Sequence, residues 1–278
     1  MKIIDLLSAP GKVNNEDIVS YGADYIILLD GATGLTNNYL KDYPTDAIWF
    51  VQEVVKYIDH NINKYPDILK LLAKLIDYLN KVYKELVLKT VPKIDLPSAG
   101  MILVKELAET VEVLMLGDCT TIIEDNSHEL KVLHDSRISK LDAGVIEKMK
   151  HVAKDKKLPL FKTRDFVLED LITNRKKKNT KTGYSVLGFE HVDKNNLIYR
   201  KFNKNNLKRI AIFSDGIAEY YETLLLAKDA LEFYDLLLTK GAKQILFEIR
   251  QTQDFDSTCD NFPRLKPKDD ASVAVIEF

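Results

Sequence analysis

The sequence predicts a single α+β domain in which helices cover the faces of β-sheets. Long segments with apolar residues at three- and four-residue spacing indicate amphipathic helices, and short apolar runs bounded by turn residues indicate strands. The segments follow the order strands, helices, strands, helices and a final strand, without an internal repeat or a low-complexity linker. This order favours one domain over residues 1–278 with helices segregated onto sheet faces.

Two amphipathic helices are predicted in the first third of the chain. Thr45-Asp46 offers a cap for a helix whose apolar stripe covers residues 48–62, and a second stripe covers residues 68–86. Later helices are expected at residues 143–154, about 219–238 and 242–251.

The predicted strands are short apolar runs. A buried strand is expected at residues 24–29, between Gly22 and Gly31. After Pro97, four runs at residues 101–104, 111–116, 121–124 and 130–134 predict an antiparallel meander. Residues 160–196 are weakly periodic, and the remaining strands are expected at residues 197–202, 209–213 and 271–278.

Composition excludes several classes of protein. The chain has 278 residues, 46% of them hydrophobic and 29% charged, which is ordinary for a globular protein. With 40 basic and 42 acidic residues the net charge is -2, so no global field favours nucleic acid or an anionic membrane. Cys119 and Cys259 have no metal-binding spacing, and no secretory signal or membrane-spanning run is present. We therefore expect a cytoplasmic monomer with no nucleic-acid or membrane partner.

Acidic residues stand in turns beside apolar runs at five places along the chain. These are Asn15-Glu16-Asp17, Asp30-Gly31, Gly117-Asp118, Ser214-Asp215-Gly216 and Asp269-Asp270. Each one alone is explained by local structure, because Asp-Gly and Gly-Asp are common turn dipeptides and an aspartate often caps a helix. Strands of one sheet end together, however, and converging carboxylates repel one another unless cations separate them. Hard divalent ions take oxygen ligands, so the pattern predicts a metal site built from the whole chain.

The order of these five motifs resembles the metal-dependent protein phosphatases of the PPM (PP2C) family, from Lys12 to the C-terminus. Pro97-Ser98-Ala99-Gly100-Met101 and Gly183-Tyr184-Ser185-Val186-Leu187 resemble further segments of that family. The resemblance implies a four-layer α-β-β-α sandwich of two antiparallel sheets flanked by helix pairs, with a flap-like segment at about 160–196. It also implies hydrolysis of phosphoserine or phosphothreonine on proteins, with Mn²⁺ or Mg²⁺ in a cleft at one sheet edge.

The resemblance also implies unequal roles for the acidic residues. Asp30 matches the carboxylate that bridges two metal ions, and the Gly31 carbonyl matches a ligand of the first ion. Asp215 and Asp269 match the carboxylates that bind the second ion. Glu16 and Asp17 match acidic residues that hold metal-bound waters. Asp118 and Glu219 match positions that help to bind a third ion in some members. Glu219 replaces an aspartate that is common there. Two ions that share a bridging hydroxide activate it for attack on phosphorus, so no protein nucleophile is required.

Two departures from the family pattern leave other functions open. Lys12 stands where many members have an arginine that grips phosphate, and lysine lacks the planar fork of arginine. Ala32 stands where a histidine is a proposed general acid. A weakly catalytic regulatory binding module and a phosphatase of small phosphorylated metabolites therefore remain alternatives.

We expect all five histidines to be ordinary surface or core residues, and the basic run 175–178 to be a solvated loop. The resemblance also allows that run to meet acidic substrates.

Overall fold

Two five-stranded sheets form the centre of the structure, a computed structural model that describes residues 1–278. The strands are β1 (Lys2–Ala9), β2 (Ile18–Tyr21), β3 (Tyr25–Ala32), β4 (Ser98–Glu106), β5 (Thr110–Leu116), β6 (Thr120–Asp125), β7 (Leu130–Leu133), β8 (Ile198–Asn203), β9 (Leu207–Phe213) and β10 (Ala271–Glu277). The helices are α1 (Asp46–Asn61), α2 (Ile68–Leu86), α3 (Arg137–Lys156), α4 (Leu168–Lys176), α5 (Asp215–Glu222), α6 (Ala230–Lys240) and α7 (Ala242–Phe255). The predicted α+β class is confirmed.

All strand pairs are antiparallel. Sheet I has the order β1-β10-β9-β6-β7, and sheet II has the order β2-β3-β4-β5-β8. The predicted meander over residues 101–134 is therefore wrong, because β4 and β5 pair in sheet II whereas β6 and β7 pair in sheet I. The chain changes sheets at Gly117, whose φ of 86° suits glycine. A Cβ at Gly117 would lie 2.7 Å from the Cα of Gly100, so the crossing also needs the absence of a side chain.

Hydrophobic residues on alternate faces of the strands build the four layers. In β3, Ile27 and Leu29 pack against α1 and α2, whereas Ile26 and Leu28 pack against sheet I. Helices α5, α6 and α7 cover the outer face of sheet I, where Phe213 is fully buried. The predicted α-β-β-α sandwich is confirmed, with the short α5 added to the second helix pair.

Local capping explains several helix boundaries. The Thr45 hydroxyl accepts a hydrogen bond from the Ile48 amide at 3.2 Å, as expected for the first helix. The single helix predicted at about 219–238 is wrong, because α5 ends at Glu222 and Asp229 caps a separate α6 through the amides of Leu231 and Glu232. Strand β1, which pairs with β10, was not predicted.

The segment between β7 and β8, which we name the flap, packs around a small core of its own. It contains α3, a 3-10 helix at Leu160–Val167 and α4, and these elements enclose a small core that includes Met149 and Cys259. Reciprocal backbone hydrogen bonds of 2.9 Å between Ala99 and Leu187 fasten its end to sheet II.

The basic run at the end of α4 is not the solvated loop that we expected. Lys178 is 3% exposed, and its Nζ donates to the Leu96 carbonyl at 2.9 Å. Burial lowers the pKa of Lys178 to about 7. Lys178 therefore anchors the flap to the loop before β4.

No helix of the structure combines the length and the apolar character that a membrane crossing requires.

Candidate metal centre

Glycines allow two of the predicted carboxylates to approach one another at the end of sheet II. Asp30 lies opposite Gly100 in the β3–β4 pair, and Asp118 follows the crossing at Gly117. A Cβ on Gly100 would lie 3.4 Å from the Cβ of Asp30 and 3.7 Å from Oδ1 of Asp118. Both acidic side chains therefore border the backbone of Gly100, where a Cβ would come closest to Cys119 Sγ, at 3.0 Å.

Asp215 and Asp269 reach the same place from sheet I. Asp215 is the first residue of α5, directly after β9, and Asp269 lies two residues before β10. Gly216 permits this arrangement, because a Cβ there would lie 1.9 Å from the Asp270 carbonyl oxygen. The glycine of the Ser-Asp-Gly motif thus has a steric role, since it lets the start of α5 pack on the entry to β10.

Asp270 organises the loop that carries Glu16. Its Oδ1 accepts a hydrogen bond from the Gly11 amide, and its Oδ2 accepts one from the Glu16 amide, both at 2.7 Å. A Cβ on Gly11 would lie 2.4 Å from the carbonyl carbon of Asp269, so this loop lies directly against the Asp269-Asp270 pair. Asp269 and Asp270 are neighbours in the sequence, but in the structure Asp269 lines the cleft whereas Asp270 binds the backbone of the loop that carries Glu16.

Asp17 lies in a buried hydrogen-bond chain between the two sheets. The Ser214 hydroxyl donates to Asp17 Oδ2 at 2.8 Å and accepts from the Ser272 amide at 3.0 Å. Burial, and next the charge of Asp30, holds the pKa of Asp17 well above its ordinary value. Asp17 therefore connects β2 to the starts of α5 and β10.

One open cleft of about 870 Å³ contains most of the predicted site. The predicted residues that line it are Glu16, Asp30, Gly31, Asp118, Asp215, Glu219 and Asp269. Asp17 is buried and Lys12 is exposed, and neither lines the cleft. The structure thus brings together all the predicted direct ligands but leaves the predicted phosphate contact outside.

Burial raises the pKa values of the acids in the cleft, and the crowding of carboxylates adds to this effect. Burial, with the charges of Asp118 and Asp269, raises the pKa of Asp30 to about 7. Burial and the charges of Asp30 and Asp269 raise the pKa of Asp215 well above its ordinary value. For Glu219, burial and the charge of Asp269 raise the pKa to about 7. All three shifts have burial as the largest cause, and the charges of neighbouring acids add to it.

Comparison with known proteins identifies the fold. No model of a known protein family matches the sequence, and no significant match exists among curated proteins. Among solved structures, the Mycobacterium tuberculosis serine/threonine phosphatase PstP/Ppp is similar, with a TM-score of 0.56 and 16% identity over 98% of this chain and 97% of that one. The chain has the PPM phosphatase fold.

Two further PPM-fold structures are similar to nearly the whole chain. The serine/threonine phosphatase Stp1 from Staphylococcus aureus gives a TM-score of 0.55 at 10% identity, over 100% of this chain and 96% of that one. The catalytic domain of PstP in complex with two manganese ions gives a TM-score of 0.55 at 14% identity, over 98% and 96%. The fold that the motif order predicted is therefore confirmed.

The PPM fold also brings into the cleft four residues outside the predicted ligand set. Asp142 enters from α3, and burial together with the charge of Asp118 raises its pKa to about 7. His134, which was expected to be an ordinary histidine, lines the cleft and lies 3.0 Å from the Thr120 hydroxyl. Arg175 and Lys266 also line it. Arg175 belongs to the basic run that the resemblance allowed to meet acidic substrates, whereas no sequence pattern marked Asp142, His134 or Lys266 for the cleft.

The donor set fits hard divalent ions, although the side chains are not arranged as a finished metal site. No group of three or more His, Cys, Asp or Glu side chains surrounds one point with the spacing of metal ligands. The cleft nevertheless presents carboxylate oxygens from β3, α5 and the loop before β10, the ligand type that Mg²⁺ and Mn²⁺ prefer. Burial, and next the charges of neighbouring acids, raises their pKa values, and a bound cation would offset both effects, so the chemistry of the cleft favours metal binding.

Proposed function

We propose that this protein is a metal-dependent phosphatase that hydrolyses phosphoserine or phosphothreonine on proteins with Mn²⁺ or Mg²⁺. One observation carries the proposal: Asp30, Asp118, Asp215 and Asp269, which come from four separate segments, line one acidic cleft of a PPM fold. When bound, the ions supply an activated water and positive charge for the phosphoryl oxygens. The residues of the chain hold the ions and orient the substrate.

The carboxylates divide this task by position. Asp30 and Asp118 both border Gly100, and Asp30 lines the same cleft as Asp215 and Asp269. This shared position supports the role of a bridging ligand for Asp30, with the Gly31 carbonyl beside it. Asp215 and Asp269, both from sheet I, would hold the second ion. Asp118 and Glu219 would hold a third ion, and Asp142 is a further candidate ligand beside Asp118.

Glu16 and Asp17 would act on metal-bound water. Glu16 lines the cleft, and its amide is fixed by Asp270. Asp17 is held by Ser214, the residue before Asp215. Both contacts connect these acids to the segments that carry the ligands of the second ion. This supports a role in which Glu16 and Asp17 hold metal-bound water without binding the ion directly.

Two cations are candidates for the substrate phosphate. Lys12 follows Gly11, which is bound at the Asp269-Asp270 pair, but its side chain is exposed outside the cleft. Arg175 lines the cleft, and its Nη2 donates to the Thr33 carbonyl at 3.0 Å. Because Thr33 closely follows Asp30 and Gly31, we propose Arg175 as a second phosphate contact beside Lys12. A guanidinium has five N–H donors, so Arg175 retains donors for phosphate.

Removal of the central ligands tests the proposal. Asp30→Asn and Asp215→Asn keep the side-chain size and remove the charge, so Mn²⁺-dependent turnover of p-nitrophenyl phosphate and a phosphothreonine peptide should fall at least about 100-fold. Asp254→Asn is the matched control, because Asp254 pairs with Lys268 at the surface. Full activity in either cleft variant, or activity that persists in EDTA, would exclude this mechanism.

The same assay separates the alternatives. Wild-type protein that binds Mn²⁺ but turns over neither substrate would be a regulatory binding module. Faster turnover of free phosphometabolites than of phosphopeptides would indicate a metabolite phosphatase.

A further inference from the structure

Lys266 brings a positive charge into the acidic cleft. Its Nζ lies 2.5 Å from Asp269 Oδ1, and the side chain lines the cleft while remaining 47% exposed. The ion pair with Asp269 places the Lys266 ammonium directly against one of the predicted metal ligands. Five further carboxyls line the cleft with Lys266: Glu16, Asp30, Asp142, Asp215 and Glu219. The ammonium therefore lies among acids from several different segments.

The loop that presents Lys266 is held in place by a buried arginine. Arg264 is 3% exposed and forms an ion pair of 2.8 Å with Asp256. Its Nε donates to the Pro267 carbonyl at 3.1 Å, and its Nη1 donates to the Phe262 carbonyl at 2.7 Å. These contacts fix the backbone on both sides of Lys266, so its entry into the cleft is determined by the fold.

Lys268, two residues further along the chain, lies outside the cleft, unlike Lys266. Its Nζ pairs with Asp254 at 2.6 Å on the surface, away from the residues that line the cleft. The same short loop thus carries one lysine directed into the acidic cleft and one directed away from it, and Lys268 provides a matched control.

We propose that Lys266 is the internal counter-ion of the metal-free cleft, and that a divalent ion must displace its ammonium to bind between Asp269, Asp215 and Asp30. This inference rests on the metal site of the proposed function. An ammonium and a divalent ion repel one another and compete for the same carboxylate oxygens. The four-carbon stem of lysine and its half-exposed position let the ammonium move into solvent when an ion enters. Lys266 would thus stabilise the empty cleft and set the metal concentration at which the site fills.

Metal affinity and metal-free stability test the proposal without an activity measurement. In Lys266→Met the competing charge is gone, so calorimetric titration with MnCl₂ should give a Kd lower by on the order of tenfold than in wild type. The melting temperature of metal-free Lys266→Met should fall, because the carboxylates lose their compensating charge. Lys268→Met should match wild type in both measurements. An unchanged or higher Kd in Lys266→Met would overturn the proposal.

Chemical labelling of the wild-type protein gives a second test that does not depend on the variant. Brief acetylation followed by mass spectrometry should modify Lys266 faster when saturating MgCl₂ is present, since the displaced ammonium is free in solvent. Labelling of Lys268 should not change. Equal labelling of Lys266 with and without bound Mg²⁺ would overturn the proposal. Metal binding without phosphatase activity would instead refute the proposed function and leave the role of Lys266 intact.

Discussion

Glu219 offers a quantitative test of the electrostatics of the cleft. It projects from α5 into the cleft, and its Oε2 accepts a hydrogen bond of 2.7 Å from Gln253 Nε2. In Glu219→Gln the new amide oxygen can still accept that hydrogen bond, whereas the negative charge is lost. The substitution therefore separates the charge of Glu219 from its packing.

The expected gain in stability follows from the pKa of Glu219. Burial and Asp269 raise this pKa from 4.5 to about 7 in the folded metal-free protein. Between these values the folded protein keeps a proton that the unfolded chain has released, so stability falls as the pH rises through this window and then stays constant. One pKa unit corresponds to about 1.36 kcal/mol, so a rise of about 2.5 units means that ionised Glu219 destabilises the folded protein by about 3 kcal/mol above pH 7.

Metal-free thermal unfolding at two pH values measures this difference. Glu219→Gln should raise the free energy of unfolding by about 3 kcal/mol at pH 8 but by less than about 1 kcal/mol at pH 5. At about 2 °C for each kcal/mol, the melting temperature should rise by about 6 °C at pH 8. Glu129→Gln, in an exposed turn, is the control and should change neither value. A loss of stability at pH 8, or an equal gain at both pH values, would refute the argument.

Three further predictions concern the backbone, the loop and the flap. Gly117→Ala should destabilise the protein by about 1–3 kcal/mol in urea unfolding, because it forces a side chain into a backbone with φ of 86°; an unchanged midpoint would contradict this. Asp270→Ala should cost about 2 kcal/mol or more, because it leaves two amides of the loop that carries Glu16 without acceptors, and faster hydrogen exchange confined to that loop would show it. Arg175→Met should raise KM for a phosphopeptide more than Lys12→Met does, and the opposite order would make Lys12 the main phosphate contact.

The parts of the fold that local sequence determines were predictable. The apolar stripes of α1 and α2 and the Thr45 cap depend on residues within a few turns of one another, and both helices were found as expected. The sheet assignment of β5 and β6 was not predictable, because it depends on the close approach of Gly117 to Gly100. Strand β1 was not predicted, because it lies at the edge of its sheet and its residues alternate between exposed and half-buried.

The candidate site divides in the same way. Asp30, Asp118, Asp215 and Asp269 follow apolar runs or precede one, so the sequence predicted that they converge. Asp142 and Lys266 lie on α3 and in the loop before β10, without any local pattern that marks them, and the basic run around Arg175 did not by itself predict a place in the cleft. Their place depends on how the flap and the Arg264 contacts pack, which no short motif encodes.

The chain buries two kinds of aspartate, and the difference between them separates structural acids from candidate ligands. Burial alone would raise the pKa of Asp95 and Asp256, yet hydrogen bonds from Thr36 to the first and from Asn261 and Arg264 to the second lower both values. These acids are compensated by the fold. In Asp30 and Asp215 burial prevails and neighbouring acids reinforce it, so their pKa values rise. Because burying an uncompensated charge is costly, acids placed together in this way in an open cleft favour the binding of a cation. Lys266 supplies one positive charge, too little for the acids around it, and a pair of divalent ions would supply the rest.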